Sequence, residues 1–152
     1  MKVRPAGHDD VSTIAKIIAD HASQGLILPR SQAALTAGLP SYVVADQDGD
    51  VVGCGGLQQY SADSAEIYGL ATASGGAPSG TGRALVEALI QKARSLKISR
   101  LFALTLAPGF FQKLGFRTVE HKDLPLKVWT DCVACPKFGN CDEIAMVLDL
   151  DC

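Results

Sequence analysis

The chain has 152 residues, 47% of them hydrophobic and 20% charged, with 14 Lys+Arg against 16 Asp+Glu and a net charge of −2. That balance describes one folded domain over residues 1–152 and excludes global disorder, and the absent basic excess argues against a nucleic-acid partner. No apolar run approaches the roughly 18 residues a membrane helix needs, and the first residues turn acidic too early for a signal peptide, so a cytoplasmic protein is expected.

Lys2-Val3-Arg4 reads as a short first strand, with Asp9 or Asp10 capping the helix that follows. Val11, Ile14, Ile17 and Ile18 recur at helical spacing, which predicts an amphipathic helix to about Ser23, ended by Gly25. A linker leads to a second short helix over 32–37, with Ser31 as its cap. Tyr42-Val43-Val44-Ala45 is a strand, Asp48-Gly49 a hairpin signal, and residues 51–57 the returning strand. The glycines of that strand, Gly53, Gly55 and Gly56, suggest a bulge or a close backbone approach. Residues 65–71 complete a three-strand meander.

A glycine-rich stretch, residues 72–82, then opens a strong helix that carries Ala84, Leu85, Ala88, Leu89, Lys92 and Ala93 on one face and closes near Leu96. Leu101-Phe102-Ala103-Leu104-Thr105 is a buried strand, and Pro108 opens a short helix over 109–114 that Gly115 stops. Residues 116–120 form another strand, 123–142 are irregular, and 144–150 alternate as a final strand. The order β-α-α-β-β-β-α-β-α-β-β describes an α/β or α+β layer with a mixed sheet.

Strand, glycine turn and helix together make an anion-binding device, because the first helical turn offers unpaired N–H groups and the positive end of the dipole. Gly80-Thr81-Gly82 stands at that position. By itself Gly-x-Gly is equally compatible with ordinary loop chemistry. A dinucleotide fingerprint fails because Leu85 replaces the third glycine, and a P-loop fails because no Gly-Lys-Ser or Gly-Lys-Thr occurs.

Several segments together are more specific: Leu70-Ala71-Thr72, Gly80-Thr81-Gly82-Arg83-Ala84-Leu85, Leu101-Phe102-Ala103-Leu104-Thr105 and Phe110-Phe111-Gln112-Lys113-Leu114-Gly115-Phe116. In this order the chain resembles the GNAT family of acetyl-CoA-dependent N-acetyltransferases over essentially its whole length. Gly25-Leu26-Ile27-Leu28-Pro29-Arg30-Ser31, Val52-Gly53-Cys54, residues 65–71 and the cysteine-bearing segment 132–143 further resemble the amino-acid N-acetyltransferases of arginine biosynthesis, the short-form N-acetylglutamate synthases.

The resemblance implies a mixed, mostly antiparallel sheet flanked by helices. It implies direct attack of an amine on the thioester, with acetyl-CoA and a small amino acid, L-glutamate first, as the two partners. A homodimer is compatible with this fold. Leu70, Ala71 and Thr72 would pair with the pantetheine arm. Ala77, Ser79, Gly80, Thr81, Gly82 and Arg83 would hold the pyrophosphate, and Phe111 would stand beside the cofactor. A backbone N–H at Leu70 or Ala71 would stabilise the tetrahedral oxyanion. Two departures stand out. The loop reads Ala77-Pro78-Ser79 where the family has Gln or Arg first, and Pro78 has no N–H to donate. Phe111 also occupies a position where many members carry a Tyr general acid.

The attacking ammonium must first lose a proton, and Glu66, on the strand entering the acetyl region, is the expected base, acting through water. The alternative is a solvated strand carboxylate. Arg30 is the expected substrate anchor, since a guanidinium suits a carboxylate, and Lys127 is a second anchor. For each, the alternative is a surface side chain. Ser31 could touch substrate or cap its helix, and capping is the first expectation. His21 reads as a surface or packing residue.

The five cysteines are Cys54, Cys132, Cys135, Cys141 and Cys152, an odd number without an export signal, which argues against a disulfide framework. Cys132, Cys135 and Cys141 are one ligand short of a tetrahedral zinc site, so packing or a reversible disulfide is read ahead of metal. Cys54 reads as core. Rival functions are acetyl transfer to another small amine or a protein N-terminus, and a non-catalytic acetyl-CoA-binding regulator. The longer synthases carry an amino-acid-kinase-like domain that binds arginine, and no such domain fits within 152 residues.

Overall fold

The alternating and helical hydrophobic patterns become seven strands and four helices in the computed structural model, which describes residues 1–24, 30–73, 77–105, 107–120 and 144–150. In chain order these are β1 (Lys2–Pro5), α1 (Val11–Ser23), α2 (Gln32–Ala37), β2 (Tyr42–Gln47), β3 (Asp50–Gln59) and β4 (Ser64–Thr72). Then follow α3 (Thr81–Ser95), β5 (Arg100–Thr105), α4 (Pro108–Gln112), β6 (Arg117–Val119) and β7 (Ile144–Asp149). The strands form one sheet in the order β1-β2-β3-β4-β5-β7-β6. The element order agrees with the sequence reading. The placement of β7 between β5 and β6 is long-range and has no local signal.

Chain contacts divide the molecule into two units, residues Met1–Leu57 with Ile67–Lys92, and Gln58–Glu66 with Ala93–Cys152. In the first unit, β1, β2 and β3 pair antiparallel. The β2–β3 turn has Asp48 at φ 53° and Gly49 at φ 96°, a two-residue turn whose twist matches its strands. Asp46 Oδ1 accepts from the Gly49 N–H at 2.7 Å and holds that turn. The predicted apolar face of α1 is buried: Val11, Ile14, Ile17 and Ile18 pack with Leu35, Leu39, Tyr42, Val44, Cys54 and Ala71. Each such aliphatic side chain contributes about 1.5–3 kcal/mol of burial.

Asp10 departs from its expected role. It stands at the N-cap position of α1, but its side chain makes no capping bond there. A 3-10 turn over His8–Asp10 runs straight into α1, so Asp10 already has helical backbone angles. Its carboxylate turns back instead, accepting from the Gly7 N–H at 2.7 Å and from Arg4 at 2.8 and 3.1 Å. The β3 glycines confirm the close approach. A Cβ on Gly53 would fall 2.9 Å from Leu85 Cδ1, and one on Gly55 3.0 Å from Leu89 Cδ1, so α3 lies directly on that strand.

In the second unit, β7 pairs antiparallel with β5 on one side and β6 on the other. Phe102, Ala145 and Val147 form one buried cluster with Tyr60, Leu104 and Val119, and Ile98, Leu101 and Met146 are fully buried as well. Phe111 on α4 is buried and packs edge-on against Phe110 and Phe116, both at 5.1 Å between ring centroids. Gly115, at φ 97°, reverses the chain after α4, and the Phe116 N–H returns to the Phe111 carbonyl at 3.1 Å.

Candidate active site

The start of α3 is built as the glycine stretch predicts. Gly80 is at φ 89°, a conformation glycine adopts freely, and nothing stands within 4 Å of where its Cβ would be. The helix ladder begins with the Ala84 N–H to the Gly80 carbonyl at 3.0 Å. The N–H groups of Gly82 and Arg83 find no acceptor among the described residues. They are the free donors of a helix N-terminus and fit an anionic group. Pro78 cannot donate, yet its carbonyl accepts from both the Thr81 N–H at 3.2 Å and the Thr81 hydroxyl at 2.7 Å. Thr81 is buried, so its side chain and its N–H both brace the loop from within. Arg83 is exposed and forms a 2.8 Å ion pair with Glu87. Ala77 is half-buried and Ser79 exposed.

Strand β4 carries a break in its alternation. Gly69 is at φ 61°, and the residues beyond it change sides. Tyr68 and Ala71 both pack with the α1 cluster, whereas the Leu70 side chain lies over Gly55 beside Leu89. The Gly69 carbonyl faces the Cys54 thiol, which donates to it at 3.5 Å. Burial pushes the Cys54 thiol up to about 12, so it stays a neutral core thiol, as expected. His21, read as a surface or packing residue, donates from Nε2 to the Thr72 carbonyl at 2.9 Å. A carbonyl only accepts, so this contact fixes the proton on Nε2. It also ties the end of β4 to α1.

Arg30 is half-buried, and its Cζ lies 4.6 Å from the centroid of the Tyr68 ring. Among the described residues it has no carboxylate partner, whereas Arg83, Arg100 and Arg117 each meet one and Arg4 meets two. Tyr68 is pinned in turn: its hydroxyl is 2.7 Å from Ser41 Oγ, which is 2.6 Å from the Gly38 carbonyl. Ser41 has one proton and the carbonyl takes it, so Tyr68 donates to Ser41. Tyr42 packs edge-on against Tyr68 at 5.3 Å, and its own buried hydroxyl has no hydrogen-bond partner among the described residues. Burial holds the Tyr42 phenol above its ordinary range, hence protonated. Ser31 caps α2, accepting from the Ala34 N–H at 3.1 Å. Its cap role was the first expectation.

Glu66 lies in the second unit. It is buried rather than solvated, and the Tyr60 hydroxyl donates to its Oε1 at 3.0 Å. Phe111 presents only hydrocarbon, as its identity dictates. Lys127, Cys132, Cys135 and Cys141 lie outside the described residues. Among the described residues no group of three His, Cys, Asp or Glu could hold a metal ion, and no helix is long and apolar enough to cross a membrane. Sequence reasoning missed Tyr68, Ser41, Tyr42 and Tyr60. The only signal was the strand alternation that puts Tyr68 two residues after Glu66, and a strand tyrosine usually reads as packing.

Residues 16–116 match the model of the acetyltransferase (GNAT) family, and the chain belongs to it. It is an acetyl-CoA-dependent N-acetyltransferase with the GNAT fold. An uncharacterized N-acetyltransferase of Chlorobaculum tepidum is 38% identical over 97% of this chain and 96% of its own length. An amino-acid acetyltransferase of Neisseria meningitidis is 35% identical over 82% of this chain, which spans only 29% of that protein. Among solved structures, the N-acetylglutamate synthase of Neisseria gonorrhoeae, complexed with coenzyme A and N-acetyl-glutamate, is similar with a TM-score of 0.90 and 30% identity. The match covers 99% of this chain and 35% of that one.

Proposed function

We propose that this enzyme acetylates the amino group of a small amino acid, L-glutamate first, as a step in arginine biosynthesis. The observation that carries this reading is Arg30: a half-buried guanidinium with no carboxylate partner among the described residues is matched to an acceptor that brings its own carboxylate. The names of the Neisseria relatives point the same way.

In this reading the pyrophosphate rests on the N–H groups of Gly82 and Arg83, within the loop of Ala77, Ser79, Gly80 and Thr81. The pantetheine arm runs along Leu70, Ala71 and Thr72, and Phe111 lines the cofactor. Arg30 and Lys127 hold the acceptor's carboxylates. Glu66 takes the ammonium proton through water, and the freed amine attacks the thioester carbonyl carbon. The new C–N bond forms, and the tetrahedral oxyanion is stabilised by the Leu70 N–H. The C–S bond then breaks, coenzyme A leaves as the thiolate, and the second proton on the amide nitrogen passes to that thiolate, directly or through water. A thiolate needs less acid assistance to leave than an alkoxide would. That suits a site with Phe111 in place of a tyrosine.

The test is release of coenzyme A thiol from acetyl-CoA with a panel of amino acids, amines and N-terminal peptides. Glutamate is expected to give the highest kcat/KM, and Glu66→Gln to lower kcat and remove the acidic limb of its pH profile. Turnover with amines but not amino acids would overturn the acceptor assignment. Binding of acetyl-CoA without any thiol release would make the chain a regulator.

A further inference from the structure

We propose that Tyr68 is a positioning residue, the platform that aims Arg30 at the acceptor's carboxylate and thereby makes a carboxylate a requirement for the substrate. This rests on the reading of Arg30 as the acceptor anchor. A guanidinium offers five N–H donors in its plane and nothing above or below it. An ion pair within the protein would consume those donors. A ring 4.6 Å away instead holds the cation by its π-face and leaves the donors for a ligand.

The platform itself is held from several directions. The Tyr68 hydroxyl donates to Ser41, whose proton is committed to the Gly38 carbonyl. Tyr42 meets the ring edge-on, with 64° between the ring planes. Gly56, directly opposite Tyr42 in the β2–β3 register, leaves the space into which the ring settles. A Cβ there would fall 2.7 Å from both Cε1 and Cζ of Tyr68. The ring therefore has one seat, and the guanidinium stacked on it inherits that orientation. A flexible arginine alone would search many rotamers before meeting a carboxylate.

Three variants separate the platform from mere packing: Tyr68→Leu removes the ring, Tyr68→Phe keeps it without the hydroxyl, and Gly56→Ala keeps Tyr68 but displaces it. Steady-state kinetics use glutamate or, if another amino acid of the panel is better, that acceptor, with acetyl-CoA saturating. Tyr68→Leu is expected to raise the acceptor KM about tenfold, with acetyl-CoA KM unchanged and kcat nearly so. Tyr68→Phe should stay within about twofold of the native value, because the ring remains, and Gly56→Ala should fall between the two. Discrimination between glutamate and its amides should narrow in Tyr68→Leu. An unchanged acceptor KM in Tyr68→Leu, while Arg30→Ala raises it, would overturn the role of Tyr68 alone. If Tyr68→Leu does not fold, a native acceptor KM in Gly56→Ala overturns the proposal equally. An unchanged KM in Arg30→Ala would instead overturn the anchor on which it rests, as would a best acceptor without a carboxylate.

Discussion

Arg4 and Arg30 are both half-buried arginines of the first unit, and their surroundings treat the same charge in opposite ways. Arg4 meets Asp10 at 2.8 Å and Asp46 at 3.1 Å, so its donors are spent inside the protein. Those bonds hold its guanidinium even further above neutrality than usual, and they hold the Asp10 carboxyl below its ordinary range. Arg30 is given an aromatic ring instead of an anion. An ion pair neutralises and fixes a charge for the sake of the fold. A cation–π contact fixes it and leaves its field and donors available.

The contrast predicts a clean exchange of phenotypes, and this is the largest effect expected. Arg30→Ala should lower kcat/KM for the acceptor by about 100-fold, the scale of a lost desolvated charge pair, with little change in Tm. Arg4→Ala should leave the acceptor KM alone but cost about 1–2 kcal/mol of stability, since it strands the nearly buried Asp10 carboxylate and surface screening softens the loss. Urea unfolding and steady-state kinetics on both variants decide it. A destabilised Arg30→Ala with native KM would erase the distinction.

The second effect is a pH dependence that belongs to the Arg4 side alone. Asp10 is held below its usual carboxylate range by the Arg4 hydrogen bonds first and the Gly7 N–H second. A depressed folded-state value contributes stability that is fully present above the unfolded value near 4, about 3.9 for a free Asp, and lost as pH falls through the folded one. Asp10→Asn should therefore cost about 1–2 kcal/mol at pH 7, and the gap from native should close as pH drops below about 4. A gap that persists undiminished at pH 2 would mean that the Asn fits badly, rather than that a charge was lost.

The two arginines also show what a sequence can carry. Arg30 stands in a distinctive local motif, so its selection needed no structure, and Ser31 beside it was legible as a helix cap because that bond reaches only to Ala34. The helices, the hairpin at Asp48-Gly49 and the apolar face of α1 were legible for the same reason, since their causes lie within a few residues. Tyr68 was not legible as a platform: its partners Arg30, Ser41 and Gly56 come from the loop before α2, the turn before β2 and strand β3. Asp10 holds the N-cap position read for it, but its side chain bonds Arg4 and the Gly7 N–H rather than α1, a choice set across the β1–α1 connection. The seat of β7 between β5 and β6 likewise depends on pairing across the whole second unit.

Arg83 supplies the smallest effect and a third way to keep a guanidinium. It pairs with Glu87 one helical turn on, with both side chains more than half exposed. An exposed i, i+4 pair is worth only about 0.3–0.5 kcal/mol and weakens with salt, because water competes for both partners. Arg83→Ala should cost no more than that in stability at low salt, and less at 1 M. In the proposed reading Arg83 serves the cofactor loop through its N–H, which any side chain at this position would leave in place. The acetyl-CoA KM should accordingly rise by no more than about twofold in Arg83→Ala, since a screened surface charge steers an anion only weakly. A tenfold rise would show that the anionic cofactor draws the guanidinium off Glu87. Glu87→Gln would then lower the acetyl-CoA KM, by freeing Arg83 in advance, and the exposed pair would rank with Arg30 as a charge held for a ligand.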